Sequence, residues 1–317
     1  MQKSIPVGPT MMNQEGMAIG EVVMEESSSV RKAKFSFTAF LRKLPFFNGK
    51  ARLARMFLKN NGVTFDSCTV EGRHGVKYFV PNTFDTIGFF ILIDGIYERK
   101  VSRFIVKNMV PGGIFLDLGV NIGAISLPVA RKRKDVQILG VEAADEVYAI
   151  LEKNISLNQL ENVAAVNRLL SDSDGDLVPF YSTLERFGKG SISPVFSNDP
   201  KLVSSVTIDR LVSDHSLAHV DLIKADVEGY EYVVFKGGQS LLSAPNAPDI
   251  IFEFAAWAEG LVKGLSLGDS QRILLEYGYR LFDFYDLGKG PLPQVAVKGS
   301  MLIFASKKPQ QEVVRIR

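Results

Sequence analysis

From residue 114 onward, short apolar runs alternate with stretches of helical periodicity. The order is IFLDLG, a helix from about Ile122, QILGVEA, a helix to about Asn158, VAAVNRLLS, DLIKADVE, another helix, DIIFEF, and a helix near Ser266 to Tyr277. RLFDFYD and SMLIFASK close the series. Continuous apolar runs, rather than alternating ones, belong to strands covered by helices on both faces. The pattern predicts an α/β fold, a Rossmann-like, doubly wound and mostly parallel sheet. The last two runs have no helix between them, which predicts an antiparallel final pair on the sheet edge, and so an antiparallel edge strand.

Ahead of the sheet, apolar residues recur every three or four positions from Phe35 to Lys59, with breaks near Pro45 and Gly49, and predict two short helices. Alternation from Val63 to Val80 around the turn residues Gly72 to Gly75 predicts a β-hairpin. Tyr97 to Met109 reads as an amphipathic helix closed by a Pro-Gly-Gly turn at 111–113. The expected organisation is a flexible tail over 1–34, a helical and hairpin extension over 35–96, a nucleotide-binding domain over 97–308 and a tail over 309–317. The most apolar stretch, Ile87 to Ile96, falls well short of the roughly 20 residues of a membrane span, and Asp94 interrupts it. No transmembrane segment is expected.

Composition narrows the function. With 317 residues, 46% of them apolar, the chain can bury a large core. The 37 basic and 35 acidic side chains leave a net charge of +2, so the total gives no electrostatic case for a nucleic-acid partner. Cys68 is the only cysteine, which excludes an intrachain disulfide, a CxxC redox site and a zinc site of paired cysteines. His74, His215 and His219 are scattered and lack the glutamate of HExxH, so no metal is expected. The N-terminus has no apolar core after Lys3, so a cytoplasmic location is expected. No heptad run marks an oligomer interface.

The chemistry concentrates at three strand ends. In FLDLGVNIG, 115–123, an apolar strand runs into a glycine-bearing turn that opens a helix, where open α/β sheets bind ligands. Asp117 stands where the GxGxxG of a dinucleotide site would begin, and Asn121 sits mid-turn. A carboxylate there is adverse beside a diphosphate and favourable beside the cationic amino group and sulfonium of S-adenosylmethionine. Gly119 and Gly123 would let the backbone approach the methionine moiety.

Glu142, ending the next strand, is placed to accept both ribose hydroxyls, or else to favour the helix N-terminus that follows. Ser171 and Asp172 fall at the height of an adenine, with an ordinary turn in SDSDGD as the alternative. DLIKADVEGYE, 221–231, delivers Lys224, Asp226, Glu228 and Glu231 to one strand end, where capping of the following helix is the plainer reading for Glu231.

FLDLGVNIG followed in order by VEA, LLSDSDG, SVTIDRL, DLIKADVEGYE and IIFEF resembles the FkbM-type methyltransferases, over about Tyr97 to Glu253. That resemblance implies S-adenosyl-L-methionine as donor and a hydroxyl of a sugar, glycan or secondary metabolite as acceptor. It implies that Asp117, Gly119, Asn121 and Gly123 line the methionine end, Glu142 the ribose, Ser171 and Asp172 the adenine side, and Asp226 to Glu228 the methyl-transfer centre. Val120 and EAADEV at 142–147 depart from the family pattern, where alanine and a glutamate followed by proline are usual.

Methyl transfer is an in-line displacement that requires chiefly positioning, with a carboxylate to take the acceptor proton. Asp226 is the first candidate base and also a cofactor-side residue; Glu228 is the second. Glu253 either reaches the acceptor or pairs with Lys224. The loop 186–198 has the length and glycines of a segment closing over substrate, and Trp257 is either core or a wall of the acceptor site. Two other classes stand beside this one. A nicotinamide-dependent oxidoreductase is disfavoured by the missing GxGxxG. A membrane-surface module, or a peripheral membrane contact, is motivated by Lys50, Arg52, Arg55 and Lys59 interleaved with Leu53, Phe57 and Leu58.

Overall fold

A computed structural model describes residues 28–59 and 66–315. Two strands, β1 (Asp66–Glu71) and β2 (Lys77–Asn82), form the expected antiparallel hairpin. The chain then supplies β3 (Ile114–Leu118), β4 (Gln137–Glu142), β5 (Val163–Asn167), β6 (Leu169–Leu170), β7 (Leu177–Ser182), β8 (Gly190–Ser191) and β9 (Lys201–Val206). It ends with β10 (Leu222–Ala225), β11 (Asp249–Ala255), β12 (Arg280–Asp283) and β13 (Ser300–Ser306).

The central sheet has seven strands in the order β12-β13-β11-β10-β3-β4-β5, parallel from β11 to β5. Strand alternation sends its side chains into two separate cores. Phe115, Ile138, Ile251 and Phe304 join one core with the helices Arg99–Asn108, Ser126–Lys132 and Asp145–Asn158. Leu116, Leu139, Phe252 and Ile303 join the other with Ile208–Asp214, Glu231–Lys236 and Asp269–Glu276. Both faces are therefore buried, as the unbroken apolar runs require, and the fold is the doubly wound one the pattern predicts.

The last two strands, β12 and β13, form the expected antiparallel pair at the sheet edge, with β13 one place in, bonded to β11 on one side and β12 on the other. Helix Asp269–Glu276 carries the chain past one strand position before β12, as crossovers do. The return without a helix then fills the gap in the opposite sense. A second, four-stranded sheet in the order β6-β9-β7-β8 was not legible in the apolar runs, because β7 is half-exposed along its length.

The first two helices, Ser28–Lys43 and Lys50–Lys59, match the expected pair, with the first starting ahead of position 35. The tail expected over 1–34 otherwise falls outside the described residues. Helix Gln310–Arg315 occupies the expected C-terminal tail, and Val313 is buried in the first core. The apolar stretch after Asp85 is a buried helix, Thr86–Asp94, capped by the Asp85 carboxylate and by Gly95 in the left-handed region.

The hairpin reaches the sheet domain through side chains. Asn154 and Asn158 lie one helical turn apart and offer their amides to the edge of β2. Asn154 accepts from Phe79 N–H and donates to its carbonyl, at 2.6 and 3.2 Å. Asn158 does the same at Lys77, at 2.8 and 2.6 Å. The strand edge is thus closed without another strand. No helix among the described residues is long and apolar enough to cross a membrane.

Candidate active site

The cleft opens at the carboxyl ends of β3, β4 and β10. Its floor is the turn after β3. Gly119 adopts φ +80°, and any Cβ there would collide with the Asp226 carbonyl, so the two strand ends can meet only with glycine at this position. Asn121 also has a positive φ, 54°, which asparagine tolerates better than most residues. Its Oδ1 accepts from Ile122 N–H, which holds the turn locally. Gly123, at φ +83°, packs against Leu127 and shapes the helix start without lining the cleft.

Two buried carboxylates face this turn. Glu142 accepts Asn121 N–H at 3.0 Å on one oxygen and Ala144 N–H at 2.9 Å on the other. Burial nevertheless pushes its pKa up to about 7 against those bonds. Asp117 accepts from Ser126 Oγ at 2.5 Å through Oδ2, while its Oδ1 is buried with no hydrogen-bond partner and faces Lys224 Nζ at 3.5 Å. Burial raises the Asp117 pKa as well. Lys224, itself buried, also faces Asp226 at 3.4 Å. Burial acts to lower its pKa, but the carboxylates of Asp226, Asp117 and Glu98 outweigh it and hold the ammonium charged.

Further acids surround this lysine. Glu98 is pushed up to about 7 by burial, with Asp226 and Asp117 adding to the rise and Lys224 opposing it. Glu253 reaches about 7 from burial and the neighbouring Asp226 and Glu228. Glu228, in the left-handed region at φ 50°, forms an ion pair with Lys189 at 2.8 Å, and burial raises its pKa too. Glu231 is buried, accepts Val227 N–H at 3.0 Å and is pushed up to about 8. It serves the helix start, as the plainer reading expected.

A flap at 184–192 crosses the cleft and is fastened from three directions. Asn121 Nδ2 donates to Phe187 carbonyl at 2.5 Å, Asn82 Nδ2 to Leu184 carbonyl at 2.5 Å, and Gly188 N–H to Asp85 at 3.1 Å. Asp85 and Asn82 belong to the extension, which therefore holds the flap in place. Phe187, Gly188, Lys189, Gly190 and Ile192 line the cleft, as expected of a segment lying over it.

Asp117, Gly119, Asn121, Glu142, Asp226 and Glu228 all line this one cleft. Ser171 and Asp172 do not. The Asp172 carboxylate is held by Lys236 at 2.6 Å, and Ser171 donates its N–H to Val206 carbonyl as β6 pairs with β9. The cleft wall at that height is Arg168, Leu169, Leu170 and Phe180. Glu253 is not the partner of Lys224, which is flanked by Asp117 and Asp226. Trp257 is not a core residue. It is 47% exposed, edge-on to Phe196 at 6.0 Å, with Lys189 Nζ 5.6 Å from its ring.

The sequence reading missed Tyr97, which lines the cleft, and Glu98 and Asp85, of which only the acidic Asp85, ahead of an apolar helix, left a local signal, that of a cap; Lys189 lies in the loop 186–198 it marked but was not singled out there. Among the described residues, no group of three or more His, Cys, Asp or Glu could hold a metal ion.

The family profile described as the methyltransferase FkbM domain matches residues 117–281, just over half the chain. A methyltransferase of Sordaria araneosa, sdnD, is 31% identical over an alignment of 164 positions, and the match covers 42% of this chain and 62% of that protein. The chain thus spans less than two-thirds of this relative's length. Among solved structures, the precorrin-6y C5,15-methyltransferase of Geobacter metallireducens is 12% identical with a TM-score of 0.39, over 66% of this chain and 86% of that one. The METTL16 methyltransferase domain is 13% identical with a TM-score of 0.40, over 71% and 70%. Both likenesses are too slight to bear on function.

Proposed function

The chain belongs to the FkbM-domain methyltransferase family, and on that premise we propose that it transfers a methyl group from S-adenosyl-L-methionine to a hydroxyl of a sugar, glycan or secondary metabolite. The observation that carries the donor assignment is the pair of buried carboxylates facing the β3 turn. Asp117 Oδ1 has no hydrogen-bond partner, and Glu142 is buried with lone pairs beyond the two backbone bonds it accepts. An ammonium or sulfonium and a ribose diol are complements for such groups; a diphosphate is not.

Asp117, Gly119 and Asn121 would hold the methionine end and Glu142 the ribose. Gly123 keeps the turn in shape for them. The adenine side falls to Arg168–Leu170 and Phe180 in place of Ser171 and Asp172. Bound there, the donor supplies an electrophilic methyl carbon on a sulfonium. The chain's own part is to align the acceptor and manage one proton. Asp226 would hold the acceptor hydroxyl and take its proton as the oxygen gains the methyl carbon and the carbon–sulfur bond breaks, the electron pair staying on the departing thioether sulfur, with Glu228 beside it as the second candidate. Lys224, fixed between Asp117 and Asp226, keeps the two carboxylates apart and orients Asp226. The flap, closed by Asn121 and Lys189, excludes water.

Calorimetric titration tests this reading. S-adenosylmethionine and S-adenosylhomocysteine are expected to bind, NAD is not, and Asp117→Ala is expected to lose the sulfur nucleotides. Absence of binding to folded wild-type protein would overturn it.

A further inference from the structure

The net charge of +2 conceals a strong segregation. Residues 27–65 contain nine Lys or Arg and no Asp or Glu, so the rest of the chain carries 28 basic against 35 acidic side chains. The basic segment also leaves large apolar side chains in solvent, close to its cations. Phe40 is 57% exposed, Phe47 47%, Leu53 41% and Met56 58%. Over residues 50–56 of helix Lys50–Lys59 the buried positions are Lys50 and Ala54, with Lys50 held by Asp94 at 2.7 Å, and the opposite face shows Arg52, Leu53, Arg55 and Met56.

Between the two helices, the loop 45–49 puts Phe46 and Phe47 at its tip. Phe46 is ringed by cations, with the Arg73 and Arg99 guanidiniums 4.3 and 4.2 Å from its centroid. The loop has a fixed shape, because Arg73 also donates to the carbonyls of Arg42 and Leu44 at 3.0 and 2.9 Å.

We propose that the loop 45–49 and the outward face of helix Lys50–Lys59, with Phe40 and Lys43 beside them, form a docking surface for an anionic lipid bilayer. Exposed aromatic and aliphatic side chains set among cations suit the interface between headgroups and acyl chains. Each Lys or Arg brought to an anionic surface there adds about fivefold to partitioning. A second copy of the chain would oppose like charge to like charge. A nucleic acid would be served by the cations but would leave Phe47, Leu53 and Met56 without a function. The placement also connects to the cleft. The first helix packs on helix Thr86–Asp94, whose Ile87 lines the cleft and whose cap, Asp85, holds the flap. Docking would bring the cleft within one helix of the membrane surface.

The test is flotation of the full chain with two sets of vesicles, phosphatidylcholine alone and phosphatidylcholine with phosphatidylserine. Flotation with the anionic vesicles only, released by salt near 1 M, is expected. The triple variant Phe47→Ser, Leu53→Ser, Met56→Ser and the charge-reversed pair Lys43→Glu, Arg52→Glu should each lose at least about tenfold of that binding. All these positions are exposed and outside the cleft, so S-adenosylhomocysteine titration should be unchanged in both variants and reports on the methyltransferase reading separately. Wild-type protein that stays in solution with anionic vesicles would overturn the proposal. So would a triple variant that floats as the wild type does, or equal flotation with neutral vesicles.

Discussion

Replacing Glu142 by Gln tests the donor site through a group whose titration the fold has moved. The wild-type carboxyl is almost fully buried and sits near 7 instead of 4.5. At about 1.36 kcal/mol per pKa unit, keeping it ionised in the folded protein costs about 3 kcal/mol above neutrality. Because the folded value is raised, the stability contribution of Glu142 is full below the unfolded value of 4.5 and is lost as pH rises through 7.

Gln carries no such dependence. Its amide leaves either Asn121 N–H or Ala144 N–H facing a donor, which costs about 1–3 kcal/mol at any pH. Urea unfolding should therefore find Glu142→Gln less stable than wild type near pH 4.5, with the difference between the two shifting by about 3 kcal/mol in the variant's favour by pH 8.5. Binding should move the opposite way. If ribose hydroxyls donate to the ionised carboxylate, the variant should bind S-adenosylhomocysteine about 100-fold more weakly at pH 8.5. Wild-type affinity should fall as pH drops below about 7, a fall the variant lacks. Glu98 and Glu253 titrate in the same window, so the difference between the two proteins is the readout. Equal affinity of variant and wild type at pH 8.5, with parallel pH dependence, would refute the ribose assignment.

Two further substitutions probe the acid cluster. Asp226→Asn should leave S-adenosylhomocysteine affinity within about threefold of wild type while lowering methyl transfer by about 10²–10⁴, read as label passing from methyl-tritiated donor into a cell extract; a loss below about tenfold would move the proton to Glu228. Lys224→Met should destabilise the fold by about 3–5 kcal/mol, since it leaves buried Asp117 facing Asp226 without the cation between them. Denaturant midpoints measured across pH should show that deficit growing as pH rises, because only a protonated Asp117 tolerates the loss.

Features that depend on neighbours in sequence could be read directly. Unbroken apolar runs marked the strands of the central sheet, and FLDLGVNIG marked the turn that Gly119 and Asn121 shape. The acids of DLIKADVEGYE were legible as a cluster because one short strand end delivers them. Height along the sheet did not show which residues line the cleft. Ser171 and Asp172 lie where an adenine would be reached if the third strand ran straight, but the chain breaks at Arg168 and pairs as β6 with β9, a contact between residues far apart in sequence. The half-exposed β7 gave no run to find. Leu53 and Trp257 could be placed only by the structure for a related reason: helical periodicity shows that a face exists without showing which neighbour covers it.

The sequence by itself thus determined the doubly wound sheet, the glycine turn after β3 and the presence of carboxylates at three strand ends, because strand burial and turn geometry are set over a few adjacent residues. Tertiary structure alone decided that β13 lies inside the edge, that Asn154 and Asn158 close the hairpin edge, and that Asn82, Asp85 and Asn121 fasten the flap. It also set the charge state of the site. Glu98, Glu142 and Glu253 sit near 7 only because distant segments remove water from around them, and desolvation belongs to the packed assembly, with no counterpart in the local order of residues.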